Sequence, residues 1–478
     1  MMKKFLHLLF FISCTVSIGQ TPCVNNMAGP YPCSGYDLLS FIPFTDLGGT
    51  NSNDSWGWTD PGDGTEYALV GLDNGVAFID ISDPINPVYI GNLPTHTGTT
   101  IWRDIKTYNN FAFIVSEAFG HGMQVFDLTR LGTAINLPVT FTEDAHYDGF
   151  GSAHNVVINE DAGYAYAVGS DTYLGGPHFV NIQDPLNPVA AGGYDLGDYS
   201  HDGQVVTYNG PDTDYTGREI YVGSNEDEIV IVDVTDKANP QEISTIGYNN
   251  TVYTHQGWFT DDQVYFFLGD EIDEIQFGFN TRTLVFDFTD LDNPQLSFEH
   301  LGETEATDHN GYIKGDTFYL ANYTAGVRMI DISDIDNGNM TEIGYFDVYP
   351  TNNVAGYNGA WNIYPYFDSG NLLVTSLQYS DPNYDAGFYL IRPSSLAIED
   401  QSTVNNFSVY PNPATDIVFI SSKNEPLNTI RVYDVLGKEL YSAININSET
   451  TTLDISSYVN GMYFIAINEQ STKKIIKQ

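Results

Sequence analysis

Four histidines occupy matching places in four successive stretches of the chain, each followed by an amide or a carboxylate: His154-Asn155, His201-Asp202, His255-Gln256 and His309-Asn310. The remaining stretches offer Trp56-Gly57, Arg103-Asp104 and Tyr357-Asn358 at that place. Each stretch runs into a second strand that ends on a polar residue, in order Asp73, Glu117, Asp171, Glu226, Glu271, Asn322 and Gln378. Antiparallel pairing returns the end of the second strand to the start of the first. Imidazoles beside carboxylates are the donor set of Zn²⁺, Mn²⁺ or Ni²⁺. His154, His201, His255 and His309, with Asp171, Glu226 and Glu271, are therefore candidate metal ligands, and Trp56, Arg103, Asp104 and Tyr357 are candidate ligand-binding residues. Three uses stay open: hydrogen bonds that hold neighbouring turns, a metal or ligand site, and catalysis.

Other signals are weaker. The acidic runs Glu226-Asp227-Glu228 and 270–274 could take Ca²⁺, but such loops are more often merely solvated, and no EF-hand pattern accompanies them. His121 and His146 read as lone loop histidines. Trp56, Trp58, Trp102, Trp258 and Trp361 fall near first-strand starts, where an aromatic face could stack on a sugar ring. No Walker loop, Gly-x-Ser-x-Gly elbow or His-Glu-x-x-His helix is present.

The elements that must position these residues are repeats. One motif recurs at 75–82 (GVAFIDIS), 122–129, 176–183, 228–235 (EIVIVDVT), 282–289, 326–333 and 387–394. Its aligned positions are Asp80, Asp127, Asn181, Asp233, Asp287, Asp331 and Arg392. Two strands precede each copy, and after most copies an Asp-Pro or Asn-Pro turn leads to a fourth, so each repeat has the size of one four-stranded propeller blade. The seventh copy lacks a fourth strand, while the segment 37–44 has no blade of its own. That segment is expected to complete the seventh blade and remove the exposed sheet edges. The fold class is all-β: a seven-bladed β-propeller followed by a small β-sandwich.

Composition agrees. The 478 residues include 33 Tyr, 28 Phe and 44 Gly, and 42% are hydrophobic, which suits many short strands joined by turns. The formal charge of -45 falls almost entirely before residue 401. A domain so acidic repels nucleic acid and anionic membrane surfaces, leaving cations, neutral sugars and proteins as partners. Lys3 and Lys4 before an apolar run to Ile18 read as an export signal over residues 1–20, too short for a spanning helix. Its removal leaves Cys23 and Cys33, which in an oxidising compartment most simply pair within a 21–35 segment.

The motif copies resemble the LVIVD repeat, and Ile229-Val230-Ile231-Val232-Asp233 nearly spells it. The arrangement over 36–397 resembles the choice-of-anchor B proteins of bacterial surfaces, a family that implies a propeller and a surface location but no activity. A polar linker at 398–406 separates this domain from 407–478. There Phe407 through Asp416, with its Pro411-Asn412-Pro413 turn, Ile430 through Leu440, and the Gly461-Met462-Tyr463 strand before a lysine-rich tail resemble the type A C-terminal sorting domain of the Por (type IX) secretion system. That resemblance implies export across the outer membrane, through the periplasm, to the surface or beyond, with the secretion machinery as a partner of residues 405–478. The leading expectation is a secreted or surface binding protein of unnamed ligand. The alternatives are a metal-dependent extracellular enzyme acting on glycans (lyase or hydrolase), and a structural surface or adhesion component. The cofactor, if any, is a divalent metal: Zn, Mn, Ni or Ca.

Overall fold

In the computed structural model the chain is described over residues 20–195, 199–394, 407–411, 414–422, 426–434, 438–468 and 471–477. The expected signal peptide (Gln20 apart) and linker lie outside the described residues. The chain divides into two compact units, Met1–Leu396 and Ala397–Gln478.

Each repeat motif forms the third strand of an antiparallel sheet. In Gly75–Asp80, residues Val76, Ala77, Phe78 and Ile79 are all buried, because the sheet is covered on both faces by neighbouring sheets. The aspartate that ends the motif makes the turn. The Asp80 carboxylate accepts the Ser82 N–H, and Asp127, Asn181, Asp233, Asp287 and Asp331 repeat this two-residue bond at 2.8–3.0 Å. In six sheets the register between third and fourth strands slips by one residue, as between Phe78 and Ile79. Such a bulge increases the local twist of the outer edge.

Seven such sheets make up the first unit. Their inner strands are Ser52–Thr59, Arg103–Tyr108, Asn155–Asn159, Asp202–Thr207, Thr254–Phe259, Gly311–Lys314 and Gly359–Tyr364. Each inner strand packs beside those of the preceding and following sheets, and the last packs beside the first. The unit is a β-propeller. Its apolar core is divided among the interfaces between sheets. Leu69, Phe78, Ile114 and Phe126 fill the gap between the first two sheets, and Val168, Phe179, Tyr221 and Val232 that between the third and fourth. Where the first sheet meets the seventh, Gly57 has no room for a side chain: a Cβ there would lie 2.2 Å from the Tyr364 ring.

Tyr36–Pro43 completes the seventh sheet by pairing antiparallel with Gly387–Pro393, so the two ends of the unit share one blade. Leu38 and Leu39 on this strand are buried. The preceding residues, Met27–Ala28 and Tyr31–Ser34, extend the sixth sheet past Asn339–Phe346, and a disulfide joins Cys23 to Cys33. In the second unit a three-stranded and a four-stranded sheet share one core containing Val418, Ile420, Ile430, Val432, Ile465 and Ile475, a small sandwich.

If ring closure depends on this strand, Leu39→Ala, at 1% exposure, should cost about 2–5 kcal/mol. Deleting 36–43 should cost more and promote aggregation. Urea melts and light scattering check both outcomes.

Candidate functional site

The inner strands run in the same sense around the channel, so residues equivalent along them form successive tiers. At the strand starts His154, His201, His255 and His309 form an arc of rings with centroids 4.2, 4.4 and 4.4 Å apart, which Trp361 continues at 4.3 Å. In two of the four, Nδ1 ties one sheet to the next: His201 to the His255 carbonyl at 3.2 Å and His309 to the Trp361 carbonyl at 2.6 Å. His154 Nδ1 instead meets Glu117 at 2.6 Å. His255 is the residue at a register shift between Thr254 and Gln256, and its Nδ1 is buried with no partner.

Burial holds His201 and His255 well below the ordinary imidazole range and His309 at about 3, so all three are neutral. Burial would lower His154 too, but its bond to Glu117 and the charges of Glu117, Asp54 and Asp202 together outweigh desolvation and raise it. Glu271 lies between His255 and His309. Its two oxygens each stand 3.8 Å from one Nε2, while Oε1 accepts the Tyr323 hydroxyl at 2.7 Å. Burial pushes this carboxyl up to about 7.

One residue further along the strands is a tier of carboxylates and amides that crosses the channel. Asn310 Nδ2 donates to Asp54 at 2.6 Å, and Asn362 Nδ2 donates to the Ser55 carbonyl at 2.6 Å. Asp104 accepts the Val156 N–H at 2.9 Å and the Lys106 ammonium at 2.6 Å. Desolvation would lower Lys106, but Asp104, Asp54 and Asp202 outweigh it and raise it, so it stays charged. Asp54 and Asp202 are pushed up to about 7, chiefly by burial.

Two residues beyond, the same strands present Trp56, Lys106, Val157, Gln204, Trp258 and Tyr364 around a cavity of about 370 Å³. Tyr366, Glu160 and Asp261 also line it. Trp56 meets Tyr364 edge-on at 5.0 Å, and the Lys106 ammonium lies 4.7 Å over the Trp56 ring.

The structure redistributes the sequence candidates. Trp361-Asn362 and Asn53-Asp54, not Tyr357-Asn358 and Trp56-Gly57, hold the places equivalent to His309-Asn310. Register shifts within Ala360/Asn362 and Ser52/Ser55 displace the alignment read from sequence. Tyr357 packs against Tyr323 and Tyr379, and Trp56 lines the far cavity. Arg103 is 1% exposed and bonds the Leu72 carbonyl, Thr95 and His121. Asp104 serves the channel tier. Asp171, past the end of its second strand, accepts the N–H of Gly151 in the loop before the first, and Glu226 is exposed; neither joins the histidines. Of the seven metal candidates only His255, His309 and Glu271 converge.

Two further readings change. The run 270–274 is not a solvated loop: Asp270, Asp273 and Glu274 are buried around Arg282, whose Nε lies 2.5 Å from Asp273. His121 and His146 are not isolated, since His121 is buried against Arg103 and Gln124, and His146 stacks on His96 at 3.8 Å. Glu117 was legible only as a strand end, because it serves a histidine of the next sheet while its own sheet has Arg103 at that place.

With this geometry in view, comparison with known proteins bears on export and repeat type. Residues 408–478 match the secretion system C-terminal sorting domain, and residues 65–95 and 217–247 match the LVIVD repeat. The chain carries both, and its sorting domain marks it for export by the type IX system to the cell surface or beyond. No helix among the described residues is long and apolar enough to cross a membrane. Beta-agarase A of Zobellia galactanivorans is 32% identical over 89 residues, 18% of this chain and 16% of that protein. PorZ, a surface component of the type IX secretion system of Porphyromonas gingivalis, is similar at 11% identity over 89% of this chain and 58% of that one, with a TM-score of 0.44. The Cps50 (Swd1) β-propeller domain of Myceliophteria thermophila is similar at 10% identity over 74% and 99% of the two chains, with a TM-score of 0.48. The chain thus spans a small part of the agarase and about three-fifths of PorZ.

The raised channel carboxyls carry a pH signature. Asp202 rises from 3.8 to about 7 on folding, so its protonated form favours the fold and stability is lost as pH climbs through that window. Asp202→Asn should therefore stabilise the protein at pH 8, by on the order of 4 kcal/mol, and have little effect near pH 4. Urea unfolding at the two pH values tests this.

Proposed function

We propose that this exported propeller is a binding protein that seats a neutral saccharide in the aromatic-lined mouth of its channel. The observation that carries the reading is the tier of equivalent inner-strand positions that places Trp56, Trp258 and Tyr364 around one cavity. Its volume of about 370 Å³ is that of a small-ligand pocket. Aromatic faces cover the apolar faces of a sugar ring, while Gln204, Glu160, Asp261 and Lys106 offer donors and acceptors to its hydroxyls. The surrounding charge selects against anionic polymers: the chain carries -45, and the tier beneath the cavity is rich in carboxylates.

Titration with neutral oligosaccharides, followed by tryptophan fluorescence and calorimetry, tests the reading. Trp258→Ala and Trp56→Ala should each weaken binding at least tenfold without changing the melting temperature by more than a few degrees. A folded wild type that binds no member of a neutral glycan panel would overturn it. Export is checked separately: a chain lacking 407–478 should fold as a propeller, yet remain in the cell envelope, as fractionation would show.

A further inference from the structure

At the opposite end of the channel, His255 and His309 pose a problem that hydrogen bonding within the protein does not solve. Their side chains are each 3% exposed. His255 Nδ1 is buried without a partner, and its Nε2 stands 3.8 Å from Glu271, beyond hydrogen-bond reach. The two Nε2 atoms are also unmatched: among the described residues each meets only a Glu271 oxygen, at 3.8 Å, so it is these nitrogens, and not Nδ1, that point to a ligand. The Glu271 carboxylate does not close on either imidazole. It is held midway by Tyr323, one oxygen turned to each Nε2 at the same 3.8 Å.

We infer that His255 Nε2, His309 Nε2 and the Glu271 carboxylate bind one divalent first-row transition ion of the Zn²⁺ class. The donor atoms lie within 4.8 Å of one another. Bonds of about 2.0–2.2 Å to a common ion need donors about 3–4 Å apart; each imidazole stands 3.8 Å from one carboxylate oxygen, and the two nitrogens fall within the same 4.8 Å bound. Two nitrogens and a carboxylate suit a transition ion, whereas Ca²⁺ takes oxygen ligands, which narrows the cofactor expected from sequence.

The supporting contacts fit the same role. The His309 Nδ1–H donates to the Trp361 carbonyl at 2.6 Å, which fixes the tautomer that leaves Nε2 as the ligand atom. Tyr323 orients Glu271 as an outer partner. His255 occupies the shifted position between Thr254 and Gln256, and a bulge of this kind re-aims a side chain. Three protein ligands leave a fourth position for water or an oxygen of a bound molecule, the arrangement of open rather than structural zinc sites. His154, held by Glu117, and His201, bonded to the His255 carbonyl, lie outside the set.

The full chain, stripped with EDTA and dialysed, would be titrated with ZnCl₂ by calorimetry, with bound zinc counted by elemental analysis. One Zn²⁺ per chain with a submicromolar Kd is expected. Glu271→Gln, which keeps the size of the side chain, should weaken it at least tenfold, and His309→Gln should abolish it. Glu117→Gln, which alters a carboxylate in the same mouth outside the set, should leave affinity within twofold. Circular dichroism of each variant establishes that it is folded, and the isosteric Glu271→Gln decides the matter should His309→Gln fail to fold. A wild type that takes up no zinc, a folded Glu271→Gln that binds as the wild type does, or an equal loss in Glu117→Gln would overturn the assignment.

Discussion

The propeller is held together by interfaces between sheets rather than by a centre. Phe78 stacks on Phe126 across one gap and Tyr166 on Tyr221 across another, while the middle of the channel is lined with polar groups. Each apolar cluster is complete only if both flanking sheets are present, so an open ring would leave two sheet faces exposed to water. Closure therefore conditions everything else. It rests on Tyr36–Pro43 against Gly387–Pro393, and on a polar seam where Thr375 Oγ1 donates to the Asn53 carbonyl at 2.8 Å and Asn362 to Ser55. The functional tiers inherit their geometry from that closure, because each draws its residues from several inner strands around the ring.

The channel separates two chemistries. Toward the strand starts it carries imidazoles, and toward the strand ends aromatic rings. Between them Asp54, Asp104 and Asp202 are buried together with amides, and Lys106 is half-buried beside them. The histidines divide their own labour: at His201 and His309 one ring nitrogen bonds the backbone of the next sheet. At His309 that bond uses Nδ1 and leaves Nε2 turned toward Glu271, so one side chain carries a structural atom and an atom free for chemistry.

Local chemistry was legible in the sequence. The aspartate or asparagine ending six of the seven repeats makes a bond spanning two residues, and the apolar runs before it are covered on both faces, so both show in a short window. The missing fourth strand of the last repeat pointed to 37–44 by subtraction. The channel was less legible. Inner-strand bulges at 52–55, 254–256 and 360–362 add residues that no hydrophobic pattern marks, and they misplaced Trp56 and Tyr357. The Asn310–Asp54 contact spans 256 residues of sequence, and Glu117 reaches a histidine in the following sheet. The buried run 270–274 looked solvated because its partner, Arg282, lies beyond the helix Asp273–Phe277.

The shared seventh blade also sets a timetable. Ser394 Oγ donates to Asp37 across 357 positions, so the last sheet cannot finish until nearly the whole propeller sequence is available. Until then the amino-terminal strand, with Leu38, Leu39 and Phe41, has no partner. The loop-closure entropy of joining such distant segments grows only slowly with length, but contacts this remote form slowly. The earlier six blades can assemble in order of synthesis, and the first segment made becomes the last one seated. A chain halted during passage out of the cell would be a ring lacking its latch, with a ready-made strand edge on offer to its neighbours.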